Sequence, residues 1–245
     1  MGSRDYPKSS LRRPPVVIAV IAVVLVLVVA VSFWVSASGE KAPEASATPK
    51  PSPSLPQVPG GQYGYAAARK TDPKPLTPKE LFGSAKITNE NRSYRRTTFD
   101  SSKVCKDAIS GPKLEKALKA AGCNQLIRAS FRDAKGLVIG TVGVANLKTS
   151  AGAKKVATAG AGDERKDFLK PLPGKDEISK FLGQGEAYAG GWYHGHYAVL
   201  LWFQFKDGHK PKKSELKRLT QAAVDITDQT VFAALDTRSI SGVPS

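Results

Sequence analysis

The strongest hydrophobic pattern in the chain is an uninterrupted apolar run close to its N-terminus. The twenty residues from Val16 to Val35 contain no charged side chain, and Ser32 is their only polar aliphatic residue. As a helix, such a run spans about 30 Å, the thickness of the hydrocarbon core of a bilayer. The pattern predicts a transmembrane helix over residues 16–36, preceded by a short basic segment over residues 1–15.

Charge flanking the run predicts its orientation. Arg4, Lys8, Arg12 and Arg13 precede it and only Asp5 opposes them. Lys and Arg are enriched on cytoplasmic flanks, so the N-terminus is expected inside the cell and the remainder outside. The alternative is a cleaved signal peptide, for which small residues after the run provide cleavage sites. The run is longer than the apolar part of most signal peptides, which favours a retained single-pass anchor in the cell membrane.

A proline-rich segment follows the anchor. Nine of the seventeen prolines lie between Glu40 and Glu80. Proline fixes φ and removes a backbone donor, so this composition predicts a disordered, extended stalk over residues 37–76. The island Gly60–Tyr65 interrupts it. That island is either a short partner-binding segment or, as we prefer, a loop that lies on the folded domain.

From Thr77 onward the pattern alternates between strand and helix signals and predicts one exported domain over residues 77–240, with a disordered tail over 241–245. Thr77-Pro78-Lys79-Glu80 has the composition of a capped helix start. The predicted elements are a strand over 92–99, a helix over 112–121, a hairpin over 126–147, a short helix capped by Ser150, a hairpin over 186–205 and a helix over 214–235. Their order indicates an α+β fold: an antiparallel sheet of hairpins with helices packed on one face.

The chain has two cysteines, Cys105 and Cys123, which flank the helix predicted after Pro112. An even number of cysteines in an exported domain favours a disulfide. A metal pair or a redox pair is the alternative, but the spacing is far from C-x-x-C. We therefore predict a structural disulfide, worth about 3 kcal/mol in the chain-entropy model.

One cluster of residues contains side chains that could bind a ligand or a metal ion. Trp192, Tyr193, His194, His196 and Tyr197 surround the turn expected in the second hairpin. Two histidines separated by one residue on a strand face the same side and are weak candidates for a metal site, which would need a third ligand. The favoured interpretation is an aromatic binding surface, and the sequence assigns no metal or other cofactor.

Motifs for catalysis are not found. The chain contains neither a G-x-S-x-G elbow nor an H-E-x-x-H pair, and its glycine-rich stretches lack the spacing of a phosphate-binding loop. These observations predict that the protein is not an enzyme.

The positive charge of the chain suggests polyanionic partners. Its net charge is +16 at pH 7, and from Leu81 onward 27 Lys and Arg stand against 16 Asp and Glu. Outside the cell the available polyanions are lipid headgroups, anionic wall polymers and extracellular DNA. The expected partner is an anionic envelope polymer or an exported protein, and no nucleic-acid partner is expected. Arg95 and Arg96 join the aromatic cluster as candidate binding residues. The competing interpretation is a solvated face without a specific partner.

The layout resembles that of actinobacterial, streptomycete-type single-pass membrane proteins with a Pro-rich stalk and an exported sensor-like α+β domain. The resemblance rests on that order of segments and on Cys105, Leu114–Cys123, Ala129–Phe131 and Val142–Leu147. It implies an extracytoplasmic binding or accessory module. The alternatives are an exported metal-dependent or hydrolytic enzyme centred on His194 and His196, and a subunit of a membrane complex that acts through its anchor.

Overall fold

A six-stranded antiparallel sheet forms the centre of the fold, in the strand order β1-β2-β4-β5-β8-β7. The computed structural model describes residues 59, 61–161 and 166–244. The strands of this sheet are β1 (Lys86–Asn89), β2 (Arg92–Ser102), β4 (Gln125–Asp133), β5 (Val138–Asn146), β7 (Tyr188–His194) and β8 (Tyr197–Phe205). The strands β3 (Ile109–Ser110) and β6 (Phe168–Leu169) pair in a small second sheet.

Helices follow or separate the hairpins. They are α1 (Pro78–Phe82), α2 (Pro112–Ala120), α3 (Ser150–Ala159), α4 (Lys213–Thr227) and α5 (Ala233–Ser241), and a π-helical turn over Asp228–Phe232 joins the last two. The start of α1 is as the sequence predicts: the Thr77 hydroxyl accepts from the Glu80 amide, and the Glu80 carboxylate accepts from the Thr77 amide. The last helix includes Ser241, the first residue of the predicted tail.

Both faces of the sheet are covered. All nine residues of β5 and all nine of β8 are buried. On one face Val199 and Leu201 pack with Leu219 of α4, and on the other Leu200 packs with Leu114 of α2 and with residues of α3. The prediction of an α+β fold with an antiparallel sheet is confirmed, but the prediction that helices pack on one face is wrong. The unbroken apolar sequence of β8 is itself typical of a strand buried on both sides.

The two predicted hairpin turns are confirmed, at Asp133–Gly136 and at Gly195. The hairpin between β1 and β2 was not predicted. In β1 only Ile87 is buried, so its sequence lacks an apolar alternation to reveal it. Two helix details also differ from expectation. Thr149, not Ser150, caps α3, and Leu216, predicted in the buried stripe of α4, is 37% exposed.

The segment 61–77, called the strap below, packs on the domain. Ala66 and Asp72 are fully buried and Leu76 is almost so. The strap forms a backbone bridge from Ala68 to Thr149 and a hydrogen bond from the Leu76 amide to the Gln125 side chain. The predicted disorder of the stalk over 37–76 is therefore wrong for residues 61–76, whereas its part before residue 59 lies outside the described residues. Tyr63–Tyr65 lie on the domain, as preferred.

A buried ion cluster fixes the strap. The guanidinium of Arg238 in α5 donates to Asp72 of the strap at 2.8 Å and to Glu80 of α1 at 2.8 Å. The Tyr197 hydroxyl of β8 donates to the same Asp72 at 2.6 Å. The side chains of Arg238, Asp72 and Glu80 are at most 1% exposed. Three parts of the chain that are distant in sequence, the strap with α1, β8 and α5, thus meet at one arginine.

The predicted disulfide is confirmed. Cys105 and Cys123 are bonded, with their Cα atoms 6.3 Å apart, and they close the loop that contains α2. The predicted transmembrane helix at 16–36 lies outside the described residues. Within the described ranges, no helix is both long and apolar enough to cross a membrane.

Replacing Arg238 with methionine tests the ion cluster. The change leaves two buried carboxylates without their cation, so we expect the free energy of unfolding to fall by about 3–5 kcal/mol in urea denaturation. The matched control is Lys180→Met, which removes an exposed pair with Glu177 and should cost at most about 1 kcal/mol. Equal, small losses in both variants would contradict the role given to Arg238.

Candidate functional site

The predicted aromatic hairpin tip is covered by the strap. The ring of Tyr63 contacts Tyr193 at 6.1 Å and His194 at 5.1 Å between ring centroids. At the turn, Gly195 has φ +55°, and a Cβ added there would lie 2.0 Å from the Ala66 carbonyl oxygen. Glycine at this position thus provides both the left-handed backbone and the close approach of the strap.

His196 is an interior residue. Its Nδ1 donates to the Ala66 carbonyl at 2.8 Å, and its ring centroid is 3.9 Å from that of Tyr197. The other ring nitrogen, Nε2, is buried without a hydrogen-bond partner among the described residues. Burial lowers the pKa of His196 to about 4, so the imidazole is neutral at physiological pH.

The other members of the predicted cluster also have packing partners. His194 Nε2 lies 2.8 Å from the Ser239 hydroxyl, and burial lowers the pKa of its imidazole although Asp236 opposes this. Trp192 packs against Phe232 of the π-helical turn at 6.0 Å. Tyr197 is fully buried in the ion cluster. The aromatic and histidine residues predicted to form a binding surface therefore pack the β7–β8 hairpin against the strap and α5.

Arg95 and Arg96 are not beside this hairpin tip. They lie on β2, and β4, β5 and β8 separate that strand from β7. Four steps between neighbouring strands amount to about 19 Å. Arg96 donates to the Phe82 carbonyl and lies over the Phe99 ring, whereas Arg95 is exposed. The sheet order thus prevents the single surface that the sequence predicted from aromatic and basic residues.

The described ranges contain no group of three or more His, Cys, Asp or Glu side chains placed to hold one metal ion. His194 and His196, the weak candidates from sequence, point to different partners, Ser239 and the Ala66 carbonyl.

A concave groove of about 640 Å³ lies at the other end of the sheet. It lies between the N-terminal half of α4, the start of β2 and the turn that joins β4 to β5. The lining is mostly polar and basic. Its residues are Asn91, Arg92, Ser93, Tyr94, Asp133, Ala134, Lys135, Val138, Ser214, Lys217, Arg218, Gln221 and Ala222.

Helix periodicity builds one wall of the groove. Ser214, Lys217, Arg218 and Gln221 follow the i, i+3, i+4, i+7 spacing of one helix face, while Leu219 and its neighbours on the opposite stripe enter the core. The basic cluster at the start of this helix was visible in the sequence as charge. What the sequence did not reveal is that the β4–β5 turn brings Lys135 opposite this helix face.

A buried carboxylate fixes the floor of the groove. Asp225 is fully buried and accepts hydrogen bonds from Tyr94 at 2.6 Å, Asn89 at 2.8 Å and Gln221 at 2.8 Å, and from the Arg92 guanidinium. Burial alone would raise the pKa of Asp225, but these donors outweigh it and the pKa lies below its usual value. Asp225 therefore stays ionised and holds Arg92 in a defined position.

The charges that face the groove are unbalanced. Four basic residues line it, against Asp133 as the one acidic residue in its lining. Asp133 pairs with Arg218 at 3.0 Å, and Arg92 pairs with Asp225. Lys135 and Lys217 are exposed and have no ion pair in the part of the chain that the structure describes. The groove thus offers two free ammonium groups beside two oriented guanidinium groups.

Comparison with protein-family models, curated proteins and solved structures gives no match for this chain.

The neutral, buried His196 predicts a pH dependence of stability. Histidine in the unfolded chain has a pKa near 6.5, so between pH 6.5 and about 4 the unfolded state binds more protons than the folded state. The free energy of unfolding is therefore unaffected by this histidine above pH 6.5. It decreases as the pH is lowered from 6.5 to 4, by about 3 kcal/mol in total. Urea unfolding at a series of pH values measures the effect.

The matched variant is His196→Asn, whose amide can still donate to the Ala66 carbonyl but does not titrate. The difference in unfolding free energy between wild type and variant should shrink as the pH falls from 6.5 to 4. Parallel profiles over this window would contradict a neutral, buried histidine.

Proposed function

We propose that this protein is a single-pass, membrane-anchored extracytoplasmic module that binds an anionic envelope polymer in the basic groove. The observation that carries the proposal is the pair of free ammonium groups, Lys135 and Lys217, in a concave surface that also presents Arg92 and Arg218. The alternative hypothesis from the sequence, a subunit of a membrane complex, depends on the anchor, which lies outside the described residues.

The chemistry of the groove favours an oxyanion ligand. Guanidinium groups bind phosphate and carboxylate oxygens in a bidentate manner, and ammonium groups add mobile donors. The carboxylate of Asp225 orients Arg92 from beneath, so less side-chain freedom is lost when a ligand binds. The hydroxyls of Ser93 and Ser214 and the amide of Gln221 add neutral groups that suit the sugar or polyol units between charges.

The position of the groove is compatible with attachment through the N-terminus. The chain enters the described domain beside the β7–β8 turn, where Tyr63 contacts His194. In the sheet register this end is marked by the pair Asn146 and Tyr197, and the groove end by the pair Val138 and Phe205. Nine residues of extended strand separate the two ends by about 27 Å. A tether at residue 59 therefore leaves the groove unobstructed by its own attachment point.

Reversing the two free charges tests the proposal. We expect Lys135→Glu with Lys217→Glu to weaken binding of a phosphodiester polymer, poly(glycerol phosphate), by at least about tenfold, because like charges then face the ligand. Binding of wild type should weaken steeply as salt rises, since surface charge interactions are screened. Isothermal titration with the full chain in detergent measures both effects.

The control keeps the same change in net charge. Lys113→Glu with Lys116→Glu places two reversals on the exposed face of α2, away from the groove. An equal loss in the control and the groove variant would mean that net charge, and not this site, attracts the polymer. Polyglutamate in place of the phosphodiester polymer separates a preference for phosphate from one for carboxylate.

The membrane anchor has its own test. The intact mass of the non-reduced protein from cell membranes should equal the full chain less two hydrogens, because the anchor is retained and Cys105–Cys123 is closed. A mature chain that starts near Ser38 would show that the apolar run is a cleaved signal peptide. The groove proposal would then apply to a secreted protein.

A further inference from the structure

One edge of the main sheet is open over half the length of its strand. β1 pairs with Arg92–Arg95 of β2, and the Arg96 amide continues this pairing to the Ala85 carbonyl. Beyond that point, residues 97–102 of β2 have β4 on their inner side and no strand on their outer side in the described part of the chain.

The direction of the free backbone groups follows from the register. The Arg96 amide points to the outer side, so Arg95 opposite Arg132 faces β4. In an antiparallel pair, every second residue directs its backbone amide and carbonyl toward the neighbouring strand. After the β-bulge at Thr97, the β2 residues that direct these groups toward β4 are residues 98, 100 and 102. Phe99 and Ser101 therefore direct both their amide and their carbonyl groups outward. These four groups match the hydrogen-bonding pattern of one added strand.

Neither proline nor a covering strand blocks pairing at this edge within the described residues, and apolar side chains are exposed along it. Phe99 is 51% exposed and Val104, just after the strand, is 48% exposed. No proline lies between residues 92 and 104, and the disulfide at Cys105 holds the end of the strand in place. The bulge at Thr97 protects only the part of the edge next to β1. The outer edge of residues 98–102 is thus a preformed template for strand addition.

Charge identifies the kind of partner. Arg95, Arg96, Lys103 and Lys106 surround the open edge and are partly or fully exposed. The carboxylate of Asp100, on the same strand, is already paired with Arg128 at 2.9 Å. A second copy of this chain would bring the same basic residues together, and the domain already has 27 Lys and Arg against 16 Asp and Glu from Leu81 onward. An acidic, extended segment has the complementary charge.

We propose that the outer edge of residues 98–102 is a docking site for an extended acidic segment of an exported protein, which adds as a further strand beside β2. The backbone groups of Phe99 and Ser101 form the strand pairing. The exposed Phe99 ring contacts an apolar side chain of the partner, and the flanking basic residues bind its carboxylates. This surface is distinct from the basic groove and does not depend on a ligand binding there; that the partner is exported rests on the location proposed above.

A proline at the open edge tests the proposal. Ser101→Pro removes one outward amide and places a ring against the incoming strand, whereas Ser101→Ala keeps the amide and serves as the control. The probe is a dye-labelled peptide of about eight residues that alternates glutamate with valine or threonine, enough to span the edge. We expect the full chain in detergent to bind it, and Ser101→Pro to weaken binding by about tenfold or more while Ser101→Ala binds like wild type.

Two further measurements keep the result interpretable. Thermal unfolding shows whether Ser101→Pro remains folded. If that variant unfolds, the double variant Phe99→Ala with Arg95→Glu tests the edge instead, because it removes side-chain contacts to the probe and leaves the backbone unchanged. The backbone amides of the β2 segment that contains Phe99 and Ser101 should exchange hydrogen quickly in the free protein and slowly when the probe is bound.

Several outcomes would overturn the proposal. One is equal binding of a probe in which lysine replaces glutamate. Another is probe binding that neither Ser101→Pro nor Phe99→Ala with Arg95→Glu weakens. The third is slow amide hydrogen exchange at the edge before any probe is added. A concentration-dependent dimer that Ser101→Pro abolishes would assign the edge to a second copy instead. Loss of probe binding in Lys135→Glu with Lys217→Glu would move the site to the groove.

Discussion

The fold depends on one fully buried arginine. Arg238 comes from the last helix, and its guanidinium is neutralised by carboxylates from the strap and from α1, with the Tyr197 hydroxyl of the central strand β8 completing the cluster. A buried charge is tolerated only when it is paired and fully hydrogen-bonded, so each of these partners must be in place together. The cluster therefore couples the first and last parts of the domain, and it holds in place the strap, whose helical structure is limited to the short 3₁₀ turn Gly64–Ala67.

Two polar clusters at opposite ends of the sheet perform different tasks. At the strap end, buried groups are satisfied by one another and present nothing to solvent. At the groove end, a single buried carboxylate, Asp225, holds one guanidinium in place while two lysines stay free. The same kind of interaction, a buried acid with a basic partner, thus closes one end of the domain and orients a guanidinium group toward the groove at the other.

The sequence predicts the elements better than their arrangement. The glycines at the turns, the Thr77–Glu80 capping box and the apolar alternation act locally, so hairpins, helix starts and the disulfide follow from short stretches of sequence. The consecutive apolar residues of β8 also indicate burial on both faces of the sheet. The strap was missed because its order comes from side chains far away in sequence, above all Arg238. The covering of the aromatic and histidine-rich turn was missed for a related reason, since such a turn looks exposed until the segment that packs on it is known. The basic face of α4 was visible, whereas its juxtaposition with Lys135 required the sheet order.

The strap also determines how the domain would respond to tension. Its attachments follow one another along the chain: the ring contacts of Tyr63, the two hydrogen bonds from His196 to the Ala66 carbonyl, the bridge at Ala68 and finally the ion cluster at Asp72. A load applied at residue 59 would be borne by these contacts one after another, in the manner of peeling, rather than by all of them in parallel. The weaker outer contacts would open first, and the sheet would remain closed until the load reached the arginine.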